Sequence, residues 1–194
     1  MSKKILIVQG HPNPTSYCSA LAEAYKKAAI ASGGEVHEII VNDLTFNLNP
    51  PEYRSKLIPD LEEDLSRAQA EIRWAEHLVF VYPTWWGTMP TLLKGFIDRV
   101  FTSGFAFKYR QDSIWWDQLL KGKSARLIVT MDTPPWYYRF VYGQPGHTAM
   151  KNTILGFCGV KPVKITSIGS VKTSSLDQRQ KWLKNVEDLG REYL

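Results

Sequence analysis

The sequence lacks several features that mark particular classes of protein. Its only two cysteines, Cys18 and Cys158, form no CxxC pair, so neither a disulfide framework nor a zinc site is expected. The four histidines show no paired spacing suited to a metal. No apolar stretch has the length of a membrane span, and the first apolar run ends too early for a signal peptide. These absences predict a cytosolic protein with no metal and no membrane insertion.

Common nucleotide-binding and hydrolase motifs are also missing. No GxGxxG follows the first apolar run, which disfavours a Rossmann dinucleotide site of the usual kind. Gly122, Lys123 and Ser124 resemble the end of a P-loop, but they precede a predicted strand instead of following one. There is no GxSxG elbow. The net charge of +5 comes from scattered lysines and arginines, so nucleic acid is not expected as a partner.

What the sequence contains is an alternation of buried strands and amphipathic helices. Its apolar runs predict strands at 4–9, 35–41, 77–82, 125–131 and 162–168. Helical periodicity predicts a first helix that begins near Thr15 or Ser16 and a last helix that begins at Ser175. Three further helices are predicted at 61–75, 92–101 and 148–157. The connections 42–59, 102–116 and 132–146 are expected to be irregular. With right-handed crossovers, this order predicts one α/β domain with a doubly wound parallel sheet and helices on both faces.

The most informative stretch runs from Leu78 to Phe101, where a buried strand gives way to a helix. The turn between them, from Pro83 to Pro90, carries two adjacent tryptophans. In an open parallel sheet, ligands bind at the carboxyl ends of the strands, so this turn is expected to present aromatic surface to a ligand. The alternative is that both tryptophans belong to the core.

The first strand-to-helix turn offers a complementary feature. His11, Asn13 and Thr15 bring polar side chains to a helix N-terminus, where free N–H groups favour an anion such as a phosphate. The alternative is that these side chains only cap the helix. A phosphate cradle beside a planar aromatic slot fits a flavin mononucleotide unit, and this combination favours the ligand interpretation.

Three segments carry a resemblance to a known family. They read GHPNPTSYCSALAEAY over 10–25, YPTWWGTMPTLLKGFIDRVF over 82–101 and FAFKY over 105–109. Together they resemble the flavodoxin-fold NAD(P)H:quinone oxidoreductases, a group that includes quinone reductase, modulators of drug activity and potassium-efflux ancillary flavoproteins. The resemblance implies a single flavodoxin-like domain over 1–194 with strand order 2-1-3-4-5. It also implies a flavin cofactor, NAD(P)H as co-substrate, a quinone-like acceptor and a two-fold homodimer.

The resemblance also implies which residues hold the flavin. The phosphate would be held by His11, Thr15, Ser16, Tyr17 and Cys18. The isoalloxazine would be lined by Pro83, Thr84, Trp85, Trp86 and Gly87. The loop after the fourth strand places Thr130, Met131, Asp132 and Thr133 at the corresponding positions, although the family has a threonine pair and glycines there.

The family's acid–base residues carry over only in part. Tyr138 can be aligned with the active-site tyrosine, and its alternative role is packing at a dimer interface. The partner histidine does not align; His147 lies farther on and is equally well explained as a helix-start residue. Asp177 and Arg179 resemble a position where larger reductases meet adenine, which favours FAD over FMN. The alternative is that both side chains are solvated charges on the surface of the last helix.

The predicted function is hydride transfer from NAD(P)H through the flavin to a quinone or a similar flat electrophile. A slot that admits one flat molecule at a time predicts ping-pong kinetics. One alternative is a regulatory flavoprotein that docks on a potassium-efflux transporter. Another is a one-electron flavodoxin carrier, which is disfavoured because such carriers are acidic and this chain is basic. The aromatic segments 102–116 and 134–142 are expected to pack on a second subunit.

Overall fold

The computed structural model describes residues 2–49 and 61–193. Its strands are β1 (Lys4–Gln9), β2 (Glu35–Ile40), β3 (His77–Pro83), β4 (Phe107–Tyr109), β5 (Trp116–Gln118), β6 (Ser124–Thr130) and β7 (Val163–Ile168). Its α-helices are α1 (Tyr17–Ala31), α2 (Glu63–Trp74), α3 (Thr91–Val100), α4 (Pro135–Phe140), α5 (Pro145–Thr148) and α6 (Leu176–Arg191). A π-helical segment, Ala149–Gly156, continues directly from α5.

Five of the strands form one parallel sheet in the order β2-β1-β3-β6-β7. The expected order 2-1-3-4-5 is confirmed once the sheet strands are counted alone. β3 lies at the centre, and every residue of it is buried, as its continuous apolar run predicted. The carboxyl ends of β1, β3 and β6 therefore meet at one edge of the sheet.

Alternate side chains of each strand pack on opposite helical layers. Leu78, Phe80 and Tyr82 of β3 face a core that includes residues of α2 and α3. Val79 and Val81 face the smaller core formed with α1 and α6. Both faces of the sheet are covered, so the carboxyl edge of the strands is the part left open to a ligand.

Two serines start the helices that flank the open edge. The side chain of Ser16 caps α1 by accepting a hydrogen bond from the Ser19 N–H, and Ser175 caps α6 by accepting one from Gln178. Gly10 lets the turn before α1 approach α3, because a β-carbon there would lie 2.6 Å from a Leu93 methyl carbon. The first turn is thereby held against the helix that follows the aromatic loop.

Two segments expected to be irregular contain regular structure. The connection 102–116 includes β4, which forms an antiparallel hairpin with β5 outside the main sheet. The loop 132–146 includes α4 and the start of α5, each with a proline in its first turn, where proline costs the helix no hydrogen bond. The stretch was expected to be a loop, but its prolines begin short helices.

Other boundaries differ by a few residues. β3 includes Pro83, since the strand can end on a residue that supplies only a carbonyl group. The expected irregular stretch 42–59 is described up to residue 49, with a 3₁₀ turn at Val41–Asp43; the remainder lies outside the described residues. Among the helices of the described ranges, none is both long and apolar enough to cross a membrane.

Candidate functional site

Two adjoining cavities lie at the carboxyl ends of β1, β3 and β6. The first-turn cavity, of about 220 Å³, is lined by His11, Tyr17, Cys18, Pro83, Thr84, Trp85, Thr130, Met131, Asp132 and Val171. The aromatic-loop cavity, of about 540 Å³, is lined by Thr84, Trp86, Gly87, Met131, Asp132, Thr133, Tyr138, Tyr142 and Pro145. Thr84, Met131 and Asp132 line both cavities. The two spaces therefore form one site with a shared wall.

The turn before α1 is held by its own side chains. The Asn13 N–H donates to Nδ1 of His11 at 2.9 Å, and the amide and hydroxyl of Thr15 both donate to the Asn13 side-chain oxygen. Burial lowers the pKa of His11, which favours the neutral imidazole. Thr15 and Ser16 were predicted to hold phosphate, but they do not line either cavity.

The aromatic loop is a tight two-residue turn. Trp85 and Thr88 exchange main-chain hydrogen bonds of 2.9 and 3.0 Å, and the two residues between them have positive φ angles of 49° and 78°. A positive φ suits Gly87 but is unusual for a residue as large as Trp86. Trp86 is 102% exposed, and Trp85 is also exposed, so the core alternative for this pair is wrong.

Ring and hydrogen-bond contacts join the three loops of the site. The rings of His11 and Trp85 meet edge to face at 5.9 Å between centroids. The sulfur of Cys18 lies 3.1 Å from the Thr130 hydroxyl, and burial raises the pKa of this thiol to about 11. Cys18 is therefore a protonated wall residue and not a nucleophile.

Asp132 occupies the junction of the two cavities. Its side chain accepts a hydrogen bond of 2.9 Å from the main-chain N–H of Lys172. The preceding residue is fixed to β7, because the Met131 N–H donates to the Ile168 carbonyl at 2.8 Å. All four residues predicted for this loop, Thr130, Met131, Asp132 and Thr133, line the site.

Tyr138 is hydrogen-bonded to the aromatic loop. Its hydroxyl donates to the Gly87 carbonyl at 2.7 Å and accepts from the Gly146 N–H at 3.0 Å, and its side chain is 2% exposed. Burial raises the pKa of this hydroxyl. A β-carbon on Gly146 would lie 2.9 Å from that same carbonyl, so glycine is needed for this close approach. The hydroxyl predicted for catalysis thus holds two main-chain groups.

His147 and Arg179, two further predicted site residues, line neither cavity, although each contacts a residue that does. His147 lines a separate cavity of about 390 Å³ with Gln144 and Ser167, and its Nε2 has no hydrogen-bond partner in the described part of the chain. Burial lowers the pKa of its imidazole. The Arg179 guanidinium donates to the Ser174 hydroxyl and the Val171 carbonyl, so it fastens the turn before α6.

Sequence reasoning missed three lining residues. Tyr142 and Pro145 come from the segment expected to be a loop, and Val171 comes from a 3₁₀ turn after β7. The aromatic content of 134–142 was a usable signal for Tyr142, although it was attributed to a subunit interface. Val171 reaches the site because its N–H donates to the Met131 carbonyl, a contact between distant segments.

Two further observations limit what the site can contain. A larger groove of about 860 Å³ lies beside Trp116 and the start of β7, and none of the predicted site residues lines it. Within residues 2–49 and 61–193 there is no cluster of three histidine, cysteine or carboxylate side chains placed to hold a metal. The chemical resources of the site are aromatic faces, main-chain N–H groups and one carboxylate.

These features coincide with similarity to known proteins. A family model described as a flavodoxin-like fold matches residues 3–189, and the chain belongs to that family. A ribosyldihydronicotinamide dehydrogenase-like protein of Penicillium crustosum is 34% identical over 66% of this chain, which spans only 57% of that protein. An NAD(P)H oxidoreductase of Haemophilus influenzae is 28% identical, with 86% of this chain and 83% of the relative covered.

A solved structure from Streptococcus mutans superposes with a TM-score of 0.82 at 34% identity, covering 97% of this chain and 98% of that one. The family resemblance stated from the three segments is therefore confirmed, because relatives over most of the chain bear oxidoreductase names. The flavodoxin-like α/β fold is confirmed as well.

Proposed function

We propose that this protein is a flavin-dependent NAD(P)H oxidoreductase that reduces quinones or similar flat electrophiles. The observation that carries the proposal is the pair of adjoining cavities that share Thr84, Met131 and Asp132. One cavity opens at the N-terminus of α1, and the other is walled by an exposed aromatic loop. That pairing suits a ligand with an anionic tail and a flat ring system.

The donor groups of the site fit a flavin. The first turn of α1 carries no acidic residue, and the N–H groups of Tyr17 and Cys18 stand at positions that lack intrahelical partners. The N–H groups of Trp86 and Gly87 make no hydrogen bond within the described ranges. These two sets of free donors suit a phosphate and the polar edge of an isoalloxazine respectively.

The bound flavin would supply the hydride chemistry, and the side chains of this protein would bind, orient and shield the reactants. Trp86, Tyr142 and Pro145 line the aromatic-loop cavity and would pack against the ring. The single slot they enclose favours alternation of nicotinamide and acceptor, hence ping-pong kinetics. NAD(P)H loses a hydride, and a quinone gains that hydride and a solvent proton. Catalytic roles for Tyr138 and His147 remain predictions.

The preference for FAD over FMN finds little support in the site. Arg179, which suggested an adenine contact, uses its guanidinium to hold Ser174 and Val171 and lines neither cavity. One structure of the same fold, an azoreductase from Bacillus anthracis, is described as a complex with FMN. Mass analysis of the released cofactor distinguishes the two flavins.

We also propose a homodimer. On the hairpin, Tyr109, Ile114 and Trp115 are exposed, with Ile114 86% exposed, and Trp136 and Phe140 are exposed on α4. Apolar surface of this extent is typical of an interface. Trp115→Lys should give a monomer in sedimentation experiments, whereas Leu176→Lys, a change at another exposed apolar residue, should not. A wild-type monomer with full activity at micromolar concentration would exclude the dimer.

The purified protein tests the main proposal directly. It should be yellow, contain one flavin per chain and bleach when NAD(P)H is added without oxygen. A quinone should then restore the colour. A protein that neither carries nor takes up flavin, or whose flavin is not reduced by NAD(P)H, would refute the proposed function. The cytosolic location expected from the lone cysteines stays a prediction.

A further inference from the structure

We propose that Asp132 selects electron acceptors by charge, so that neutral and cationic flat molecules are reduced in preference to anionic ones. This inference rests on the proposed function, because it concerns the molecule that follows NAD(P)H into the site. Its basis is the position of one carboxylate at the junction of the two cavities.

Among the described residues that line the site, Asp132 supplies the only carboxylate. Neither cavity is lined by a lysine, an arginine or a glutamate, and burial lowers the pKa of His11, which favours its neutral form. Apart from the main-chain N–H of Lys172, no described residue binds the carboxylate, and no ion pair neutralises it. A ligand in the aromatic-loop cavity therefore lies beside a residue with an exposed carboxylate that no described lysine or arginine side chain pairs with.

Arg179 forms no ion pair with Asp132, since its guanidinium has other partners. Arg179 donates to the Ser174 hydroxyl and the Val171 carbonyl, and its guanidinium lies over the Tyr17 ring at 5.9 Å. These contacts hold the guanidinium of this α6 residue against the preceding turn, and Arg179 lines neither cavity. Bound flavin phosphate would add further negative charge to the site.

The aromatic walls act in the same direction as the carboxylate. Trp86 and Tyr142 line the cavity that Asp132 borders, and the face of an aromatic ring attracts a cation. A flat cationic acceptor would meet both attractions, while a flat anion would meet neither. A neutral quinone gains the stacking alone.

The positive net charge of the whole chain attracts anions, whereas the Asp132 carboxylate would repel them within the site. The effect of salt on the rates tests which of the two dominates. The net charge of +5 attracts anions over long distances, which would make reduction of an anionic acceptor slower as salt is added. A carboxylate within the site acts at contact distance and repels the anion there. If Asp132 dominates, added salt should speed the anionic acceptor and slow the cationic one.

The experiment measures reoxidation of the NADH-reduced holoprotein by three acceptors in anaerobic stopped flow. The acceptors are menadione, which is neutral, 1,2-naphthoquinone-4-sulfonate, which is anionic, and methylene blue, which is cationic. Wild type is compared with Asp132→Asn and with Glu35→Gln, an exposed carboxylate at the opposite end of the sheet. Both variants remove one negative charge, so they change the net charge equally.

Menadione serves as the reference in each protein, which corrects for any change in the flavin's reduction potential. In Asp132→Asn, the rate for the anion relative to menadione should rise roughly fivefold, and the relative rate for the cation should fall by a similar factor. Glu35→Gln should leave both ratios unchanged. Equal ratios in wild type and Asp132→Asn would overturn charge selection by Asp132.

If Asp132→Asn fails to retain flavin, the salt dependence of the wild-type reoxidation rates still tests the proposal. An anionic acceptor that slows with added salt would show that the net charge dominates and would overturn the proposal. Failure of the proposed function is distinguishable from these outcomes. It would appear as absent flavin or absent reduction by NADH, whereas failure of this inference would leave a reducible flavoprotein with unaltered acceptor ratios.

Discussion

Tyr138→Phe tests whether this tyrosine acts on the substrate or on the protein itself. The change removes a hydroxyl that donates to the Gly87 carbonyl at 2.7 Å and accepts from the Gly146 N–H at 3.0 Å. Each such hydrogen bond contributes about 1 kcal/mol net. The Gly146 N–H also donates to the Gly87 carbonyl at 3.1 Å, so neither main-chain group loses its last partner. We therefore expect the free energy of unfolding to fall by about 1–2 kcal/mol.

The loss should be measured on apoprotein by urea denaturation, with Tyr109→Phe on the exposed hairpin as the matched control. In a chain of this size each 1 kcal/mol lowers the melting temperature by about 2–4 °C. Flavin should also dissociate faster, since Gly87 lines the aromatic-loop cavity. The structural role would be refuted by unchanged apoprotein stability. Slower quinone reoxidation with unchanged flavin reduction would then assign the hydroxyl to the acceptor step.

Three further predictions concern the caps, the aromatic turn and pH. Ser16→Asp keeps a good N-cap but places a negative charge at the phosphate end, so it should weaken flavin binding without lowering stability. Ser175→Asp on α6 should change neither flavin binding nor stability. Trp86→Asn should leave the melting temperature equal or higher, because asparagine tolerates positive φ, yet slow reduction of quinones about tenfold by removing a wall of the slot. Burial lowers the pKa of His77 to about 4. As the pH falls from about 6.5 to about 4, His77 therefore takes up a proton in the unfolded chain but not in the folded one. Wild type should lose up to about 3 kcal/mol of stability over that range in urea titrations, and His77→Gln should lose distinctly less.

Much of the fold could be predicted because its signals are local. β3 reads as a buried strand since both of its faces are covered, and its apolar run is continuous for that reason. Ser175 and Gln178 marked the start of α6 because N-capping involves residues three apart. The π-helical form of 149–156 was not predictable, because its apolar spacing is close to that of an α-helix.

The site was predicted best where a single segment supplies it. The loops that follow β3 and β6 both line the cavities, and each was located by the end of an apolar strand. Arg179 was placed by resemblance to a position near adenine, and His147 only as a histidine farther along the chain from Tyr138. Both have partners or neighbours elsewhere, which no spacing along the chain reveals.

The sequence by itself determined the strand and helix alternation, the two loops at the carboxyl edge and the aromatic character of the site, since each depends on contiguous residues. Only the tertiary structure decided that the Tyr138 hydroxyl bonds to Gly87 and Gly146, and that Asp132 lines two cavities without an ion-pair partner among the described residues. Those facts depend on which segments meet in space. Hydrogen-bond partners and uncompensated charges arise from contacts between distant residues, so they become visible only when the chain is folded.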